Sequence, residues 1–267
     1  MYKLIAIDID DTLINDDKEV TPATQTALEQ AVAAGVVVTL ATGRAYASAQ
    51  AIARQTGLNV PIITYQGALV KNLMDEQVLY ERNVPQDAVH KLFAYCVEHN
   101  LHLQTYIDDK LYAREENDKL KGYTDLNKTQ YYVEPDWEKL AAQPTPKLLI
   151  IDDPDFLDDL APILRELLGS EVHITKSKPH FLEIMHYEGT KGKALEFLAG
   201  HFGCDLADTI AVGDSWNDHE MLEVAGLGVA MGNSIPALKA IAGYITRSNN
   251  EDGVKHVIDK FILQTAE

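Results

Sequence analysis

Carboxylates, a hydroxyl, an amide, a glycine and a lysine stand where apolar runs of this sequence end or where a helical pattern begins. In chain order these residues are Asp8, Asp10, Thr42, Gly43, Lys191, Asp214, Asn217 and Asp218. Where apolar runs form parallel strands, ligands bind beyond the carboxyl ends of those strands. We therefore expect these residues to meet at one edge of a sheet and to form the functional site.

Four carboxylates at one edge predict a bound cation. Asp8, Asp10, Asp214 and Asp218 cannot all stay ionised at close range unless a cation or a proton shares their charge. Carboxylate oxygens with room for water are the hard ligands that Mg²⁺ prefers. Zinc is disfavoured, because the sequence contains neither C-x-x-C nor H-E-x-x-H. The predicted cofactor is therefore Mg²⁺.

The spacing of Asp8 and Asp10 suits the transfer of one phosphoryl group. In a regular strand alternate residues face the same side, so both carboxylates would point one way with Ile9 opposite. One could act as a nucleophile that stays ionised, and the other as a general acid with a raised pKa. Taken alone, the pair is also typical of strand-end residues that cap a turn. Thr42 alone is likewise typical of an N-cap for the helix that follows.

The elements that must hold these side chains alternate between short apolar runs and helical patterns, which is typical of βαβ units. The predicted strands span residues 3–10, 36–41, 62–65, 209–212, 227–231 and 244–246. One predicted helix begins at Thr21-Pro22 and stops at Gly35, a second closes at Gly57, and a third spans 191–203. The order of these elements predicts an α/β fold with a doubly wound parallel sheet.

The middle of the chain follows a different pattern. It contains, in order, an amphipathic helix with its stripe at 89–97, hairpin strands at 101–106 and 111–114, a strand at 147–151, a helix at 154–168 and strands at 172–175 and 181–186. A hairpin-rich α+β block inside a parallel α/β frame predicts an inserted domain. We assign residues 83–186 to this insertion, and residues 1–82 and 187–267 to a catalytic core.

Composition and charge argue against several classes of protein. The 267 residues carry a formal charge of −18, and no basic patch offsets it, so nucleic acid and anionic membranes are not expected partners. Uncharged stretches stay below the roughly 18 apolar residues that cross a bilayer. Two cysteines, Cys96 and Cys204, cannot build a disulfide scaffold, which favours a reducing cytoplasm. The expected partners are small molecules.

Four motifs, in this order and spacing, resemble those of the haloacid dehalogenase (HAD) superfamily of phosphatases. They are DIDDTL at 8–13, ATGR at 41–44, KGKAL at 191–195 and GDSWND at 213–218. The insertion, with FLEIMH at 181–186 and VAMGN at 229–233, resembles the Cof-type branch (subclass IIB), which carries a large cap. Within that branch, ITYQGALV at 63–70, KLLIIDD at 147–153 and SNNEDGV at 248–254 resemble bacterial sugar-phosphate phosphatases. The resemblance covers essentially the whole chain.

The resemblance implies an activity as well as a fold. It implies a HAD-like, Rossmann-type core whose inserted α+β cap closes over it and selects substrates. The activity would be Mg²⁺-dependent hydrolysis of small phosphorylated metabolites, with sugar phosphates as the expected substrates. Asp8 would take the phosphoryl group as an aspartyl-phosphate. Asp10 would protonate the leaving alcohol and then activate the water that hydrolyses this intermediate.

The resemblance also assigns the binding residues. Thr42, the Gly43 amide, Lys191 and Asn217 would bind the phosphate, and Lys191 would balance charge on the nucleophile and the transferring group. The residues implied for Mg²⁺ are Asp8, the backbone carbonyl of Asp10, Asp214, and Asp218 directly or through water.

Three residues depart from the pattern of the family. Asp11 replaces the usual glycine after the second aspartate, and we expect it to point away from the site. Gln66 replaces the asparagine of an N-G-A turn and is expected to alter a contact on the cap side. Trp216 replaces a commonly polar residue and would narrow the rim of the pocket. None of the three removes a catalytic group.

Other functions use related groups. A phosphotransferase, such as a phosphomutase, forms the same aspartyl-phosphate but passes the phosphoryl group to a second sugar. A signalling phospho-acceptor also places acidic residues, Thr and Lys around a phosphorylated Asp, although Asp10 argues against it because it promotes turnover. A metabolite sensor without turnover is the third alternative, and the intact set of catalytic groups argues against it.

Overall fold

The chain forms two compact units. The computed structural model describes residues 1–127 and 129–265, so residue 128 of the predicted insertion and residues 266–267 of the predicted core lie outside the described part. One unit comprises Met1–Tyr80 with Thr190–Glu267, and the other comprises Glu81–Gly189. The assignment of 83–186 as an inserted cap stays a prediction. Within the described residues, no helix is long and apolar enough to cross a bilayer.

Helices and strands alternate in the first unit and mix in the second. The first segment forms β1 (Leu4–Asp8), α1 (Pro22–Ala33), β2 (Val37–Ala41), α2 (Tyr46–Ala53), β3 (Pro61–Thr64), β4 (Leu69–Asn72) and β5 (Val78–Glu81). The middle segment forms α3 (Gln86–Glu98), β6 (Leu103–Ile107), β7 (Lys110–Ala113), α4 (Asp118–Asn127), β8 (Tyr131–Val133), α5 (Trp137–Ala141), β9 (Leu148–Ile151), α6 (Pro154–Leu168), β10 (Val172–Lys178) and β11 (Phe181–His186). The last segment forms α7 (Lys191–His201), β12 (Thr209–Gly213), α8 (His219–Val224), β13 (Leu227–Ala230), α9 (Pro236–Ile241), β14 (Tyr244–Ile245) and α10 (Gly253–Ile258).

The sheet of the first unit is parallel from β14 to β3. Its strand order is β14-β13-β12-β1-β2-β3-β4-β5, with β1 paired to both β12 and β2. Every residue of β1 is buried, as expected for a central strand whose two faces are both covered. This order confirms the predicted fold class, because the sheet is wound in both directions from β1.

Local signals start and stop α1 as predicted. Thr21 caps the helix, since its Oγ1 accepts a hydrogen bond from the backbone N–H of Thr24 at 3.1 Å, and Pro22 takes the first helical position. Gly35 follows the helix with a φ of 84°, a conformation that suits glycine. Most of the other predicted strands and helices are also present, with shifted ends.

The strands β4 and β5 were missing from the sequence prediction. β4 runs antiparallel to β3, with Asn72 opposite Pro61, and β5 follows it at the edge of the sheet. Only Tyr80 of β5 is buried. Because these short strands are made by pairing with a sheet edge rather than by an apolar alternation, residues 69–81 carry little pattern that could reveal them.

The second unit has its own sheet and its own core. The strand order is β10-β11-β9-β6-β7-β8, in which β7 and β8 pair parallel and the other neighbours pair antiparallel. Helices α3, α5 and α6 supply apolar side chains to the core formed with this sheet, among them Val89, Leu92, Phe93, Leu140, Leu157 and Leu164. The helices α4 and α5 and the strand β8 were not predicted.

A buried histidine makes the stability of this unit sensitive to pH. Burial, helped by the Lys119 ammonium, lowers the pKa of His102 to about 4. The neutral ring accepts a hydrogen bond at Nδ1 from the Asn117 amide at 2.9 Å, and protonation of Nδ1 would break that bond. Between pH 6.5 and 4 the unfolded chain binds this proton and the folded chain does not. The free energy of unfolding is therefore expected to decrease as the pH is lowered from 6.5 to 4. The contribution of His102 to this decrease is up to about 3 kcal/mol.

Chemical denaturation at a series of pH values tests this expectation. In His102→Gln the free energy of unfolding should decrease less between pH 6.5 and pH 4, because the substitution removes the titrating ring. The exposed His90 offers a matched control, and His90→Gln should leave the slope unchanged. An equal slope in wild type and His102→Gln would contradict the assignment.

Candidate active site

The candidate site lies where β1 and β12 end side by side. The two strands are parallel neighbours, so Asp8 at the end of β1 lies beside the loop that carries Asp214. Asp218 closes the turn Trp216–Asp218 in the same loop. One carboxylate oxygen from each of Asp8, Asp214 and Asp218 lies within 4.8 Å of the others. The fold therefore brings together three of the four carboxylates that we expected at one edge.

Lys191 supplies the positive charge of this cluster. It opens α7, which Thr190 caps by accepting a hydrogen bond from Lys193 N–H at 3.1 Å. The buried Nζ of Lys191 donates to Asp8 Oδ1 and, at 2.6 Å, to Asp218 Oδ1. Burial alone would lower the pKa of Lys191, but the Asp218 and Asp8 carboxylates outweigh it and raise this pKa. The lysine is therefore a permanent cation between two carboxylates.

Asp218 holds the acidic loop in shape. Its Oδ2 accepts hydrogen bonds from the backbone N–H groups of Asp214 at 3.0 Å and Ser215 at 3.1 Å, while its Oδ1 accepts from Lys191. The residue is fully buried. Both of its oxygens thus have protein partners, which makes Asp218 an organiser of the loop and of Lys191.

Asp8 and Asp214 add negative charge that Lys191 alone does not neutralise. Burial raises the pKa of Asp8 well above its usual range, Lys191 opposes this rise, and Asp218 and Asp214 add to it. Burial and the Asp218 charge raise the pKa of Asp214 to about 7, against a hydrogen bond that Thr12 Oγ1 donates at 2.9 Å. A donor set of hard oxygens with surplus negative charge fits a divalent cation such as Mg²⁺.

Asp10 is not among the three carboxylates that lie within 4.8 Å of one another, but its charge adds to the rise in the pKa of Asp8. That its side chain shares one side with Asp8 stays a prediction. The strand ends at Asp8, and the backbone enters the turn Ile9–Leu13, in which Asp11 has a φ of 56°. The Asp10 carboxylate accepts two hydrogen bonds from Arg44, one from Nε at 2.7 Å and one from Nη2 at 2.6 Å. The backbone is still extended at Asp10, with φ of −75° and ψ of 131°, and the left-handed conformation begins only at Asp11.

Thr42 and Gly43 follow β2, next to the end of β1. Asp8 lies opposite Ala41 in the parallel ladder, so Thr42 directly follows that pair. The Thr42 Oγ1 accepts a hydrogen bond from Arg44 N–H at 3.1 Å, and its own hydroxyl proton can therefore be donated to a ligand. Thr42 does not cap the next helix, because α2 begins at Tyr46 after Ala45.

Asn217 belongs to the acidic loop but contacts a different turn. Its Nδ2 donates a hydrogen bond to the Oε1 of Gln66 at 2.8 Å. Gln66 is buried, and its side chain lies against Gly43, where an added Cβ would stand 2.2 Å from Gln66 Nε2. The acidic loop and the loop after β2 are thus joined through Gln66.

Comparison with known proteins decides the family. Residues 5–258 match the family model of the haloacid dehalogenase-like hydrolases. The chain belongs to this family. The match covers most of the chain and agrees with the four motifs of the sequence.

Relatives of this HAD-family chain are phosphatases. The 5-amino-6-(5-phospho-D-ribitylamino)uracil phosphatase YitU of Bacillus subtilis is 33% identical over 97% of each chain. The structure of TM0651 from Thermotoga maritima is 35% identical, covers 98% of each chain and superposes with a TM-score of 0.85. The subclass IIB sugar phosphatase BT4131 is 25% identical, covers 97% of this chain and 98% of its own, and has a TM-score of 0.85. The predicted family and enzyme class are confirmed: the chain is a HAD-type phosphatase.

The three departures from the HAD pattern have different surroundings. Asp11 is half exposed, its carboxylate lies 3.5 Å from Lys18, and its charge is a small contributor to the raised pKa of Asp214. That it points away from the site therefore stays a prediction. Gln66 accepts a hydrogen bond from Asn217, and its expected effect on a contact with the cap stays a prediction. Trp216 is 47% exposed beside the acidic loop. Its predicted narrowing of the pocket stays a prediction.

Sequence reasoning missed the contacts that three residues make within this HAD site. Arg44 donates hydrogen bonds to Asp10, and Thr12 donates one to Asp214. Gln66 accepts one from Asn217. Arg44 and Thr12 stand inside quoted motifs, and that placement was the available signal. No signal in the sequence links Gln66 to Asn217, because 151 residues separate them.

Proposed function

We propose that this HAD-family chain is a Mg²⁺-dependent phosphatase that hydrolyses small phosphate esters, chiefly sugar phosphates, through an aspartyl-phosphate on Asp8. The observation that carries the proposal is the contact of the buried Asp8 carboxylate with Lys191 inside the cluster of Asp8, Asp214 and Asp218. Phosphoryl transfer needs positioning and charge neutralisation above all, and this cluster is built for both.

Each residue has one role in the proposed reaction. An Asp8 oxygen attacks phosphorus, the bond from phosphorus to the ester oxygen breaks, and Asp10 gives that oxygen its proton. Asp10 then takes a proton from water, which attacks the aspartyl-phosphate and releases inorganic phosphate with Asp8 restored. Lys191 balances the charge on Asp8 and the phosphoryl oxygens, while Thr42, the Gly43 amide and Asn217 donate hydrogen bonds to the phosphate.

The donor set supports Mg²⁺ as the cofactor. Asp8, Asp214 and the backbone carbonyl of Asp10 would hold the ion. Asp218 has hydrogen-bond donors on both oxygens, which favours contact through water over direct ligation. The bound ion would shield the negative charges of nucleophile and phosphate from each other.

Two similar proteins support small phosphate esters as substrates. The relative YitU acts on a phosphorylated ribitylamino-uracil, and the neighbour BT4131 is a sugar phosphatase. We propose the same substrate class for this chain, and we propose that residues 83–186 select among such esters. We also propose a cytoplasmic location, consistent with the free thiols of Cys96 and Cys204.

Phosphate release from a panel of sugar phosphates and p-nitrophenyl phosphate tests the proposal. Each ester is assayed with Mg²⁺ and with EDTA, and Asp8→Asn serves as the inactive comparison. Release that needs metal and is lost in the variant is the expected result. Transfer to an added second sugar that outruns transfer to water would favour the phosphotransferase alternative. No release from any ester by the folded, metal-loaded chain would contradict the proposed function.

Mg²⁺ binding is expected to weaken below neutral pH. Because burial and Asp218 raise the pKa of Asp214 to about 7, a proton competes with the cation for this carboxylate. A carboxyl group with a raised pKa stabilises the metal-free fold at low pH, and this contribution is lost as the pH rises through about 7. The apparent affinity for Mg²⁺ should therefore drop about tenfold per pH unit below that point. Calorimetric titration of the chain with Mg²⁺ at pH 6 and at pH 8 measures this change in affinity.

Asp214→Asn and Asp11→Asn provide the matched comparison for this titration. Asp214→Asn should lose the increase in melting temperature that Mg²⁺ causes, whereas the half-exposed Asp11→Asn should keep it. Equal Mg²⁺ affinity of the wild type at the two pH values would contradict the competition with a proton.

A further inference from the structure

The chain turns sharply after β3 at Tyr65-Gln66-Gly67. All three residues have positive φ values, of 51°, 64° and 120°. Tyr65 and Gln66 are 1% and 2% exposed, although side chains other than glycine rarely adopt this backbone conformation. Such conformations persist where the surroundings hold them, and they concentrate at functional sites.

Backbone hydrogen bonds clamp this turn between two segments of the site. Gln66 N–H donates to the carbonyl of Thr42 at 3.0 Å, and Tyr65 N–H donates to the carbonyl of Arg44 at 3.0 Å. On the other side Gly67 forms a bridge with Thr190, directly before Lys191. A Cβ at Gly67 would stand 2.1 Å from the Thr190 backbone, so this close approach requires glycine. The turn is therefore fixed relative to both Thr42 and Lys191.

The Gln66 side chain extends the clamp to the acidic loop. Its Oε1 accepts the hydrogen bond from Asn217 Nδ2 at 2.8 Å, while its Nε2 end lies against Gly43. Because the Asn217 amide donates through one of its two N–H groups, the other keeps a defined direction. Asparagine at position 66 would be shorter by one methylene, about 1.5 Å, and would not reach Asn217.

We propose that Gln66 is a positioning residue, which holds the Asn217 amide in one orientation for the phosphoryl group. The inference rests on the proposed function, in which Asn217 donates to the phosphate. A donor held in place before the reaction needs no reorganisation during it, which is how fixed dipoles stabilise a transition state. Gln66 itself contacts Asn217 and Gly43, and it acts through Asn217.

A double-mutant cycle tests this proposal. Gln66→Asn shortens the side chain, and asparagine tolerates the left-handed backbone at least as well as glutamine does. Gln66→Met keeps the length and the packing against Gly43 but removes the accepting oxygen. Each variant is expected to lower kcat/KM for p-nitrophenyl phosphate about fivefold to tenfold, the usual value of one positioned hydrogen bond. In an Asn217→Ala background the same substitutions should change kcat/KM less than twofold.

Matched measurements separate positioning from general damage. The Mg²⁺ concentration at half-maximal rate and the melting temperature should stay at wild-type values in Gln66→Met, which a role in folding or in metal binding would shift. Gln143→Asn, at an exposed position of the other unit, should match wild type in all three measurements. If Gln66→Asn fails to fold, Gln66→Met alone completes the cycle.

Two results would overturn the proposal. One is a wild-type kcat/KM in Gln66→Met. The other is a loss of kcat/KM on substituting Gln66 that is equally large with Asn217 present and in the Asn217→Ala background. A wild-type chain that releases phosphate from no ester would instead overturn the proposed function, so the two failures are distinguishable.

Discussion

Asp8→Asn is expected to abolish turnover and to leave the fold intact. In the proposed mechanism an amide cannot form the aspartyl-phosphate, so kcat should fall by about four orders of magnitude or more. The substitution also removes a buried carboxylate whose pKa burial raises, so the free energy of unfolding without metal should not decrease much. Steady-state phosphate release and chemical denaturation measure the two effects.

A control in the next turn tests whether the loss is specific to Asp8. Asp11→Asn changes a half-exposed carboxylate beside Lys18 and should keep kcat within about threefold of wild type. Rapid acid quench with a ³²P-labelled ester should trap a phosphoprotein in the wild type and in Asp11→Asn, and none in Asp8→Asn. Near-normal turnover by Asp8→Asn would remove the aspartyl-phosphate mechanism.

Lys191→Met is expected to cause the largest loss of stability in the first unit. The variant leaves Asp8 and Asp218 buried without their shared cation, and breaking a buried ion pair in this way costs about 3–5 kcal/mol. Because the two carboxylates raise the pKa of Lys191, its contribution in the wild type is fully present below its usual pKa of 10.5. The variant should also lose phosphatase activity. Urea denaturation at pH 8 measures the loss in the free energy of unfolding.

The pH dependence of that loss identifies its cause. Because burial raises the pKa of Asp8, the destabilisation should be largest at high pH, where the Asp8 carboxylate is ionised, and it should shrink as the pH falls and Asp8 takes up a proton. A loss that does not change between pH 8 and pH 5 would point to packing instead of charge.

A second buried lysine provides the control for Lys191. In the other unit Lys147 is paired with the buried Glu183 at 2.9 Å. Lys147→Met should also lower the free energy of unfolding, for the same reason. It should leave the Mg²⁺ affinity measured by calorimetric titration unchanged, whereas Lys191→Met should change it.

The sequence predicted the frame of the site well because the relevant signals are local. The cap and proline of α1 act on the next few residues, so Thr21 and Pro22 could be read without tertiary structure. The strands β1 and β12 appear as apolar runs, and parallel pairing then requires the residues after them to meet. The convergence of Asp8, Asp214 and Asp218 follows from this rule.

The partners of side chains were less predictable, because they come from other parts of the chain. Asp10 was expected beside Asp8, and its pairing with Arg44, 34 residues further along, was not predicted. The edge strands β4 and β5 were missed for a related reason. β4 forms by pairing with β3 and β5 lies next to β4 at the edge of the sheet, while their own residues carry little apolar pattern.

The sequence by itself therefore determined the family, the parallel frame and the identity of most groups at the site. Only the tertiary structure decided which of these groups touch, because hydrogen bonds such as Gln66 to Asn217 join loops that are distant in the chain. A motif specifies residue types within a few positions. The orientation of a buried side chain is set by partners from other elements, and the positions of these partners depend on the packing of the whole unit.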